Sequence, residues 1–263
     1  EIPRLGLGTW QAAEGSEVET AVQTALDVGY RHIDTAMIYG NEASVGRAIR
    51  DSGIPRDQLF VTSKLWNEDQ RQNNQARAFD ASMSRLDIDY IDLYLIHWPV
   101  EGKFVDTWKI MEDIIGRGDG KVRAIGVSNF LIHHLEELLA SSNTVPAVNQ
   151  VEFHPRLVQQ KLFDFCQNNS IQHEAWSPIM KGRCDEVSEL VEIGRGHDKS
   201  ATQVALRWEL QKGTVTIPKS TTPARIEANA DLYDFDLTDE QMKRIDALDK
   251  GERLGADPDD FPF

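Results

Sequence analysis

Polar side chains that can hold or transfer a proton occur at the ends of three neighbouring β-type runs. They are Asp34, Tyr39, Lys64 and His97. Asp34 and Lys64 end short β-type runs, Tyr39 lies in the loop after Asp34, and His97 closes a very apolar run. One such residue alone is more often structural than catalytic. Because parallel strands end together at the mouth of a barrel, four of them from consecutive strands are expected to converge there.

The four groups have complementary chemistry. A tyrosine holds its proton too tightly for proton transfer near neutral pH, but the ammonium of Lys64 would favour the phenolate and ease proton release. Asp34 would keep Lys64 charged and oriented, and His97 would donate a second hydrogen bond to the same substrate oxygen. The set suits addition of hydride to a carbonyl carbon while Tyr39 protonates the oxygen. None of these groups supplies hydride, so this interpretation requires a nicotinamide cofactor.

The segments that position these residues alternate between strand-type and helix-type patterns. The alternation predicts one domain over residues 1–263, with an α/β fold of the (β/α)8 TIM-barrel class rather than a doubly wound sheet. An extra C-terminal helix and tail follow the barrel. The predicted strands are 5–10, 32–35, 60–65, 91–98, 122–128, 147–152, 171–176 and 214–218. The predicted helices are 16–28, 42–50, 70–86, 104–115, 131–140, 158–167, 202–210, 223–230 and 239–248. Within this tail, residues 251–263, the acidic run 257–260 could be a solvated terminus or a loop folding over the barrel mouth, and disorder is the ordinary expectation for a terminus.

Composition argues against several classes of partner. The formal net charge of −15 at pH 7 disfavours nucleic acid and anionic membranes. There is no long uncharged run and no secretory signal at the N-terminus, so a cytoplasmic protein is expected. Cys166 and Cys184 lack metal-ligand spacing and are interpreted as reduced thiols. His133 and His134 have no other ligand types near them in sequence, so no metal is expected. A barrel completes its own core, so a monomer is the default expectation.

One apparent nucleotide motif is set aside. Residues 6–11 begin like a dinucleotide-binding fingerprint, but Gln11 stands where the third glycine belongs. The stretch also lies in a predicted strand instead of opening a helix, so the Rossmann interpretation fails.

Several stretches resemble the sequence signatures of the aldo-keto reductases. They are residues 29–42, 63–66, 95–99, 126–130, 149–155 and 217–220, in the order that the family has them. The compact loops after His97 and Trp176 are most similar to the microbial branch that includes 2,5-diketogluconate reductases. The resemblance implies NADPH-dependent carbonyl reduction by a catalytic tetrad of Asp34, Tyr39, Lys64 and His97, with Tyr39 as the proton donor.

The resemblance also implies a cofactor site along the barrel mouth. Ser128, Asn129 and Gln150 would hold the nicotinamide carboxamide, and Trp176 would stack on the ring. The other implied cofactor contacts are Thr9, Trp10, Asp34, Ser177, Ile179, Lys219, Ser220, Thr221, Arg225 and Asn229. Without the family, Ser128 and Asn129 are equally well explained as a helix N-cap, and Trp176 as core packing.

The segment from Lys219 to Arg225 favours NADPH over NADH. Lys219, Ser220, Thr221 and Arg225 resemble the family's segment that holds the adenosine 2′-phosphate, and two cations with two hydroxyl groups near a helix that begins at Pro223 agree with an anion site. Without the family, Lys219 and Arg225 would be interpreted as solvated charges. The sequence departs from the family at Ala228, where a glutamate commonly precedes the asparagine, so one adenine contact is expected to be missing. It also begins at the first barrel strand, where relatives carry a small hairpin over the closed end, which we expect to affect stability more than chemistry.

The expected substrate pocket is aromatic. Trp10, Trp66 and Trp98 each lie beside a catalytic segment and would line an open cleft for small aldehydes, ketoacids or keto-sugars. Two alternatives remain at this point. The chain could be an NADPH-binding regulatory or sensor protein with little turnover. It could also be a barrel lyase or isomerase with Lys64 as a Schiff-base nucleophile, although Tyr39 would then have no role.

Overall fold

The computed structural model describes residues 1–263 and contains one parallel sheet whose strands are adjacent in chain order. The strands are β1 (Gly6–Gly8), β2 (His32–Asp34), β3 (Phe60–Leu65), β4 (Ile91–Ile96), β5 (Val122–Ser128), β6 (Val148–Glu152), β7 (Gln172–Trp176) and β8 (Val215–Thr216). The ring is nearly closed because Leu5 bridges Thr216 and Gly8 bridges Lys219, both in parallel. The predicted (β/α)8 barrel is confirmed.

Eleven helices accompany the strands. They are α1 (Ser16–Asp27), α2 (Glu42–Asp51), α3 (Asn67–Arg71), α4 (Gln75–Leu86), α5 (Phe104–Gly116), α6 (Ile132–Ser141), α7 (Gln160–Asn168), α8 (Ser188–Arg195), α9 (Ala201–Gln211), α10 (Pro223–Ala230) and α11 (Asp239–Asp246). In α1 the predicted apolar stripe is buried, including Val18, Val22 and Leu26. Gly29, at a φ of 103°, adopts the left-handed conformation just after this helix and turns the chain into β2.

One helix prediction was wrong, and one helix was missed. The segment predicted as one helix over residues 70–86 is divided into α3 and α4, because Asn73 adopts a left-handed φ of 53° between them. Helix α8 was not predicted, since its eight residues include Gly194, a poor helix former, and only a short apolar stripe. Leu190 and Ile193 bury that stripe in a second apolar cluster on the outside of β7.

The interior of the barrel has an apolar side and a polar side. Leu93, Leu95 and Val148 pack together on the apolar side. The polar side is fully buried and consists of His32, Asp34, Thr62, Lys64, Gln150 and Glu174. The larger apolar cluster lies between the sheet and the helices, so the barrel does not depend on its own interior for most of its hydrophobic core.

The C-terminal tail is ordered across the mouth of the barrel, so the expectation of disorder was wrong. The backbone N–H groups of Leu254 and Gly255 donate hydrogen bonds to the Glu152 carboxylate at the end of β6, at 2.7 and 3.1–3.2 Å. At the far end of the tail, the ring of Phe263 stacks on Trp66 with centroids 5.5 Å apart. None of the helices has the length and apolar character needed to cross a membrane.

Candidate active site

A buried ion pair lies at the centre of the barrel mouth. Lys64 Nζ, at the end of β3, donates to Asp34 Oδ1 at 2.6 Å and to the carbonyl oxygen of Thr35 at 3.0 Å. The second oxygen, Asp34 Oδ2, accepts a hydrogen bond from Gln150 Nε2 at 2.8 Å. The adjacent strands β2 and β3 bring the two charges together, and Gln150 reaches them from β6 on the other side of the barrel.

Burial and charge act against each other in this pair. Burial raises the pKa of Asp34, whereas Lys64 and Gln150 lower it. Burial alone would lower the pKa of Lys64, but the nearby Asp34, Tyr39 and Glu174 outweigh it and raise that pKa above its usual value. Lys64 is therefore an ammonium near neutral pH, which makes it a hydrogen-bond donor and a poor nucleophile.

Tyr39 ends a short 3₁₀ turn, Met37–Tyr39, directly after β2. Lys64 Nζ lies 3.5 Å from Tyr39 Oη, at the outer limit of a hydrogen bond. Lys64 lowers the pKa of Tyr39, as the sequence predicted, but burial acts more strongly and the pKa is raised overall. The phenol is thus protonated at neutral pH, beside a cation that can stabilise the phenolate once the proton leaves.

His97 directly follows β4 and is buried beside the phenol. Its ring centroid lies 5.7 Å from that of Tyr39 and 5.1 Å from that of Trp66, both in edge-on geometry. Burial and the charge of Lys64 hold the pKa of His97 well below its usual range. The imidazole is therefore neutral and can donate one hydrogen bond without carrying charge.

A second polar cluster lies next to this pair, at the ends of β5, β6 and β7. Ser128 Oγ donates to the carbonyl oxygen of Gln150 at 2.8 Å. Asn129 Nδ2 donates to the carbonyl oxygen of His97 at 2.9 Å, and Asn129 Oδ1 accepts from Trp176 Nε1 at 2.8 Å. Neither Ser128 nor Asn129 caps α6, so the N-cap explanation is wrong. The cluster ties the His97 segment to the Trp176 indole instead.

The remaining residues of the predicted nicotinamide region also lie at the mouth or border it. Thr9 Oγ1 donates to the carbonyl oxygen of Asp34 at 2.9 Å, which fixes β1 against β2. Trp10 is 47% exposed at the rim. Ser177 has a left-handed φ of 53° directly after β7, and Ile179 is partly buried against both apolar clusters.

Free cationic groups follow β8. Lys219 is partly exposed, and Arg225 is exposed near the start of α10. No acidic residue lies in the first turn of this helix. Neither cation forms an ion pair within the chain. Ser220 Oγ accepts from the N–H of Thr222 at 3.1 Å, while Thr221 is partly exposed and Asn229 is buried. A helix N-terminus with unpaired cations and hydroxyl groups can hold a phosphate group.

An aromatic wall closes one side of the mouth, and half of it was missed by sequence reasoning. The rings of Phe261 and Phe263 pack against Trp98 with centroids 5.2 and 5.3 Å apart. The main-chain oxygen of Phe263 accepts hydrogen bonds from Asn67 and Arg71 at 3.1 and 3.0 Å. The only sequence signal was two phenylalanines in an otherwise polar, acidic tail.

A histidine pair near the tail has the composition of a metal site but not its hydrogen bonding. Both His133 Nε2 and His134 Nε2 lie close to Asp259 Oδ1, at 3.1 and 3.5 Å. However, His134 Nδ1 accepts the backbone N–H of Leu131 at 3.1 Å. The proton of the neutral ring is therefore on Nε2, the nitrogen nearer Asp259, and a protonated nitrogen does not ligate a metal until that proton is lost.

Comparisons with known proteins agree with this geometry. The model of the Aldo/keto reductase family matches residues 4–250. The chain is 52% identical to glyoxal reductase of Bacillus subtilis over 263 residues, which cover 100% of the chain and 95% of that protein. It is 43% identical to methylglyoxal reductase DkgA of Escherichia coli, covering 99% of the chain and 94% of that protein. Among solved structures, MGS-M4, an aldo-keto reductase enzyme from a deep-sea metagenome library, superimposes with a TM-score of 0.96 at 45% identity, covering 100% of this chain and 97% of that one.

Proposed function

Since the chain belongs to the aldo/keto reductase family and is an oxidoreductase that acts on carbonyl compounds, we propose that it reduces small aldehydes and ketones with NADPH. Tyr39 is the proton donor in this proposal. The observation that carries it is the placement of the Lys64 ammonium, paired with Asp34 at 2.6 Å, within 3.5 Å of the Tyr39 phenol at the open end of the barrel.

Each residue has a distinct part in the proposed reaction. The carbonyl oxygen of the substrate lies between Tyr39 Oη and the neutral ring of His97, both of which donate hydrogen bonds to it. As negative charge develops on this oxygen, Tyr39 transfers its proton, and the phenolate that remains is stabilised by Lys64. Asp34 keeps Lys64 charged and aimed. The nicotinamide of the bound cofactor supplies the hydride.

The residues around the tetrad fit a dinucleotide. Ser128 Oγ accepts from Asn129 Nδ2 at 3.1 Å and donates to the main-chain carbonyl of Gln150, while the Gln150 amide donates to Asp34. Hydroxyl and amide groups of this kind suit a carboxamide. Trp176 is fixed by its bond to Asn129 and leaves a partly exposed face for a ring to stack on. Because Lys219 and Arg225 have no anionic partner within the chain, they are available for a 2′-phosphate, which supports NADPH over NADH.

The proposed substrates are small and reactive. The aromatic wall of Trp66, Trp98 and Phe263 stands beside His97, whose ring centroid lies 5.1 Å from that of Trp66. Aromatic walls of this kind leave the polar groups to orient the carbonyl group and distinguish few other features of the substrate. Relatives at 52% and 43% identity are named for glyoxal and methylglyoxal, so we propose short aldehydes and dicarbonyls as the first substrates to assay.

A fluorescence titration with NADPH and with NADH, followed by addition of methylglyoxal in the same cuvette, tests the proposal. We expect tighter binding of NADPH and loss of its absorbance when the dicarbonyl is added. Binding without turnover on methylglyoxal or a reactive nitrobenzaldehyde would instead favour a sensor protein. Borohydride reduction in the presence of substrate controls for Schiff-base chemistry, and a stable adduct on Lys64 would overturn the reductase mechanism.

A further inference from the structure

A second buried carboxyl group lies inside the barrel near the ion pair and has no place in the mechanism above. Glu174, in the middle of β7, is 0% exposed, and neither of its side-chain oxygens has a hydrogen-bond partner. Buried carboxylates are normally paired, because removing an ionised group from water is costly. An unpaired carboxyl group at such a position therefore has to be neutral or to have a functional reason for its charge.

The surroundings of Glu174 come from four strands. On β2 the titratable neighbours are His32, whose Nε2 lies 3.9 Å from Glu174 Oε1, and Asp34. On β3 the neighbour is the Lys64 ammonium. The paired residue on β6 is the neutral amide Gln150, and the paired residue on β8 is Val215. Lys64 is thus the only cation facing two carboxyl groups, and it already forms a 2.6 Å pair with one of them.

The titration behaviour of this group follows from these neighbours. Burial, and secondly the charge of Asp34, raise the pKa of Glu174 to about 8, while Lys64 and Gln150 partly offset them. Burial and Lys64 lower the pKa of His32 to about 3, so this imidazole is neutral and supplies no countercharge. The 2.6 Å pair with Lys64 keeps Asp34 ionised, and Glu174, which has no such partner, is the uncharged acid near neutral pH.

We propose that Glu174 is a positioning residue for carbonyl reduction: as an uncharged acid within the barrel, it leaves the charge of Lys64 free to stabilise the Tyr39 phenolate. Glu174 transfers no proton and contacts no substrate. The proposal rests on the proposed function, in which the proton of Tyr39 Oη passes to the substrate oxygen while hydride adds to the carbonyl carbon. When Glu174 ionises, its negative charge repels the Tyr39 phenolate and competes with it for the positive charge of Lys64. The rate of reduction therefore falls.

The first test is the pH profile of kcat/KM for aldehyde reduction in Glu174→Gln and in the wild type. Gln has nearly the shape of the protonated acid but cannot ionise. We expect the wild-type value to fall as pH rises through about 8 and the variant to lack this fall. At about pH 9 the variant should exceed the wild type by about tenfold, since one pH unit above this pKa about nine tenths of the wild-type Glu174 is ionised.

Glu209→Gln is the matched control. Glu209, on α9, is also 0% exposed, both of its oxygens also lack partners, and burial raises its pKa well above the usual range. Because it packs outside the barrel, its replacement should leave the alkaline fall of kcat/KM as in the wild type. If the glutamine variant does not fold, Glu174→Leu replaces it, because leucine also cannot ionise although its shape differs. This variant should also lack the alkaline fall of kcat/KM.

A second readout does not need turnover. The ionisation of Tyr39 can be followed by tyrosinate absorbance, as the difference between each protein and the same protein with Tyr39→Phe. We expect Glu174→Gln to lower the apparent pKa of Tyr39 and Glu209→Gln to leave it unchanged. A wild type without an alkaline fall in reduction, or a Tyr39 titration that Glu174→Gln does not shift, overturns the role of Glu174. Absence of any NADPH oxidation by aldehyde would instead overturn the proposed function.

Discussion

Polar side chains at the centre of the barrel mouth and at its rim differ in burial and in the partners they have within the chain. At the centre, Asp34, Lys64 and Gln150 are buried and bonded to one another. At the rim, Lys219 is partly exposed and Arg225 exposed, and neither has an ionic partner. The centre is a site organised before any ligand arrives, whereas the rim presents charges that a ligand must complete.

Because of this difference, we expect residues of the centre to determine turnover and residues of the rim to determine binding affinity. A preorganised group in a dry site contributes to the transition state without rearrangement, so its removal should reduce turnover or unfold the barrel. An exposed group gains a partner only when the ligand binds, so its removal should weaken binding and leave the chemical step intact. The comparison fails if a rim variant abolishes turnover, or if a centre variant changes affinity alone.

The largest effect is expected at the phenol. Tyr39→Phe removes the proposed proton donor while keeping the ring, so kcat for aldehyde reduction should fall by about 10³-fold. Affinity for NADPH, measured by fluorescence titration, should stay at the wild-type value. Tyr233→Phe, at a ring that is 65% exposed on the outer surface, is the control and should change neither quantity. Retained turnover in Tyr39→Phe would move the role of acid to His97.

A centre charge without its partner should destabilise the fold. Asp34→Asn removes the charged partner that Lys64 holds at 2.6 Å, so the free energy of unfolding should fall by about 3–5 kcal/mol. Urea denaturation at neutral pH measures this change. Asp80→Asn removes the carboxylate from an exposed pair with Arg117, and it should cost less than about 1 kcal/mol. Equal effects of the two substitutions would contradict the distinction between centre and rim.

A rim cation should affect only the phosphorylated cofactor. Arg225→Ala should weaken NADPH binding by about 10- to 100-fold, the range for loss of a hydrogen bond to a charged group. NADH, which lacks the 2′-phosphate, should bind as in the wild type, and kcat with saturating NADPH should be unchanged. Arg77→Ala, at an exposed arginine on α4, is the matched control. Equal weakening of both cofactors by Arg225→Ala would refute its role.

The smallest effect is expected at the tail. Phe263→Ala removes the ring that stacks on Trp66, so KM for a small aldehyde should rise by about two- to tenfold, as expected for the loss of one aromatic pair. kcat should be preserved, because the ring partners of Phe263 are Trp66, Trp98 and Phe261. Val145→Ala, at another exposed apolar side chain, is the control. A large fall in kcat would show that the tail organises the centre as well as the rim.

The alternation of strand and helix patterns was sufficient to predict the barrel. Local periodicity marks each strand and each long helix, and the eight repeats leave few alternative topologies. The errors occurred where local signals were weak or misleading. Asn73 interrupts a continuous helical pattern with one left-handed residue, α8 is short and contains a glycine, and the tail is ordered by Glu152.

The sequence by itself determined which chemical groups reach the mouth, because strand order fixes where Asp34, Lys64 and His97 end their strands. It could not determine their protonation. Asp34 and Gln150 are 116 residues apart in sequence and 2.8 Å apart in the barrel. Only the tertiary structure decided that burial would raise the pKa of Tyr39 and leave Glu174 without a partner, because desolvation depends on contacts between segments that are distant in the chain.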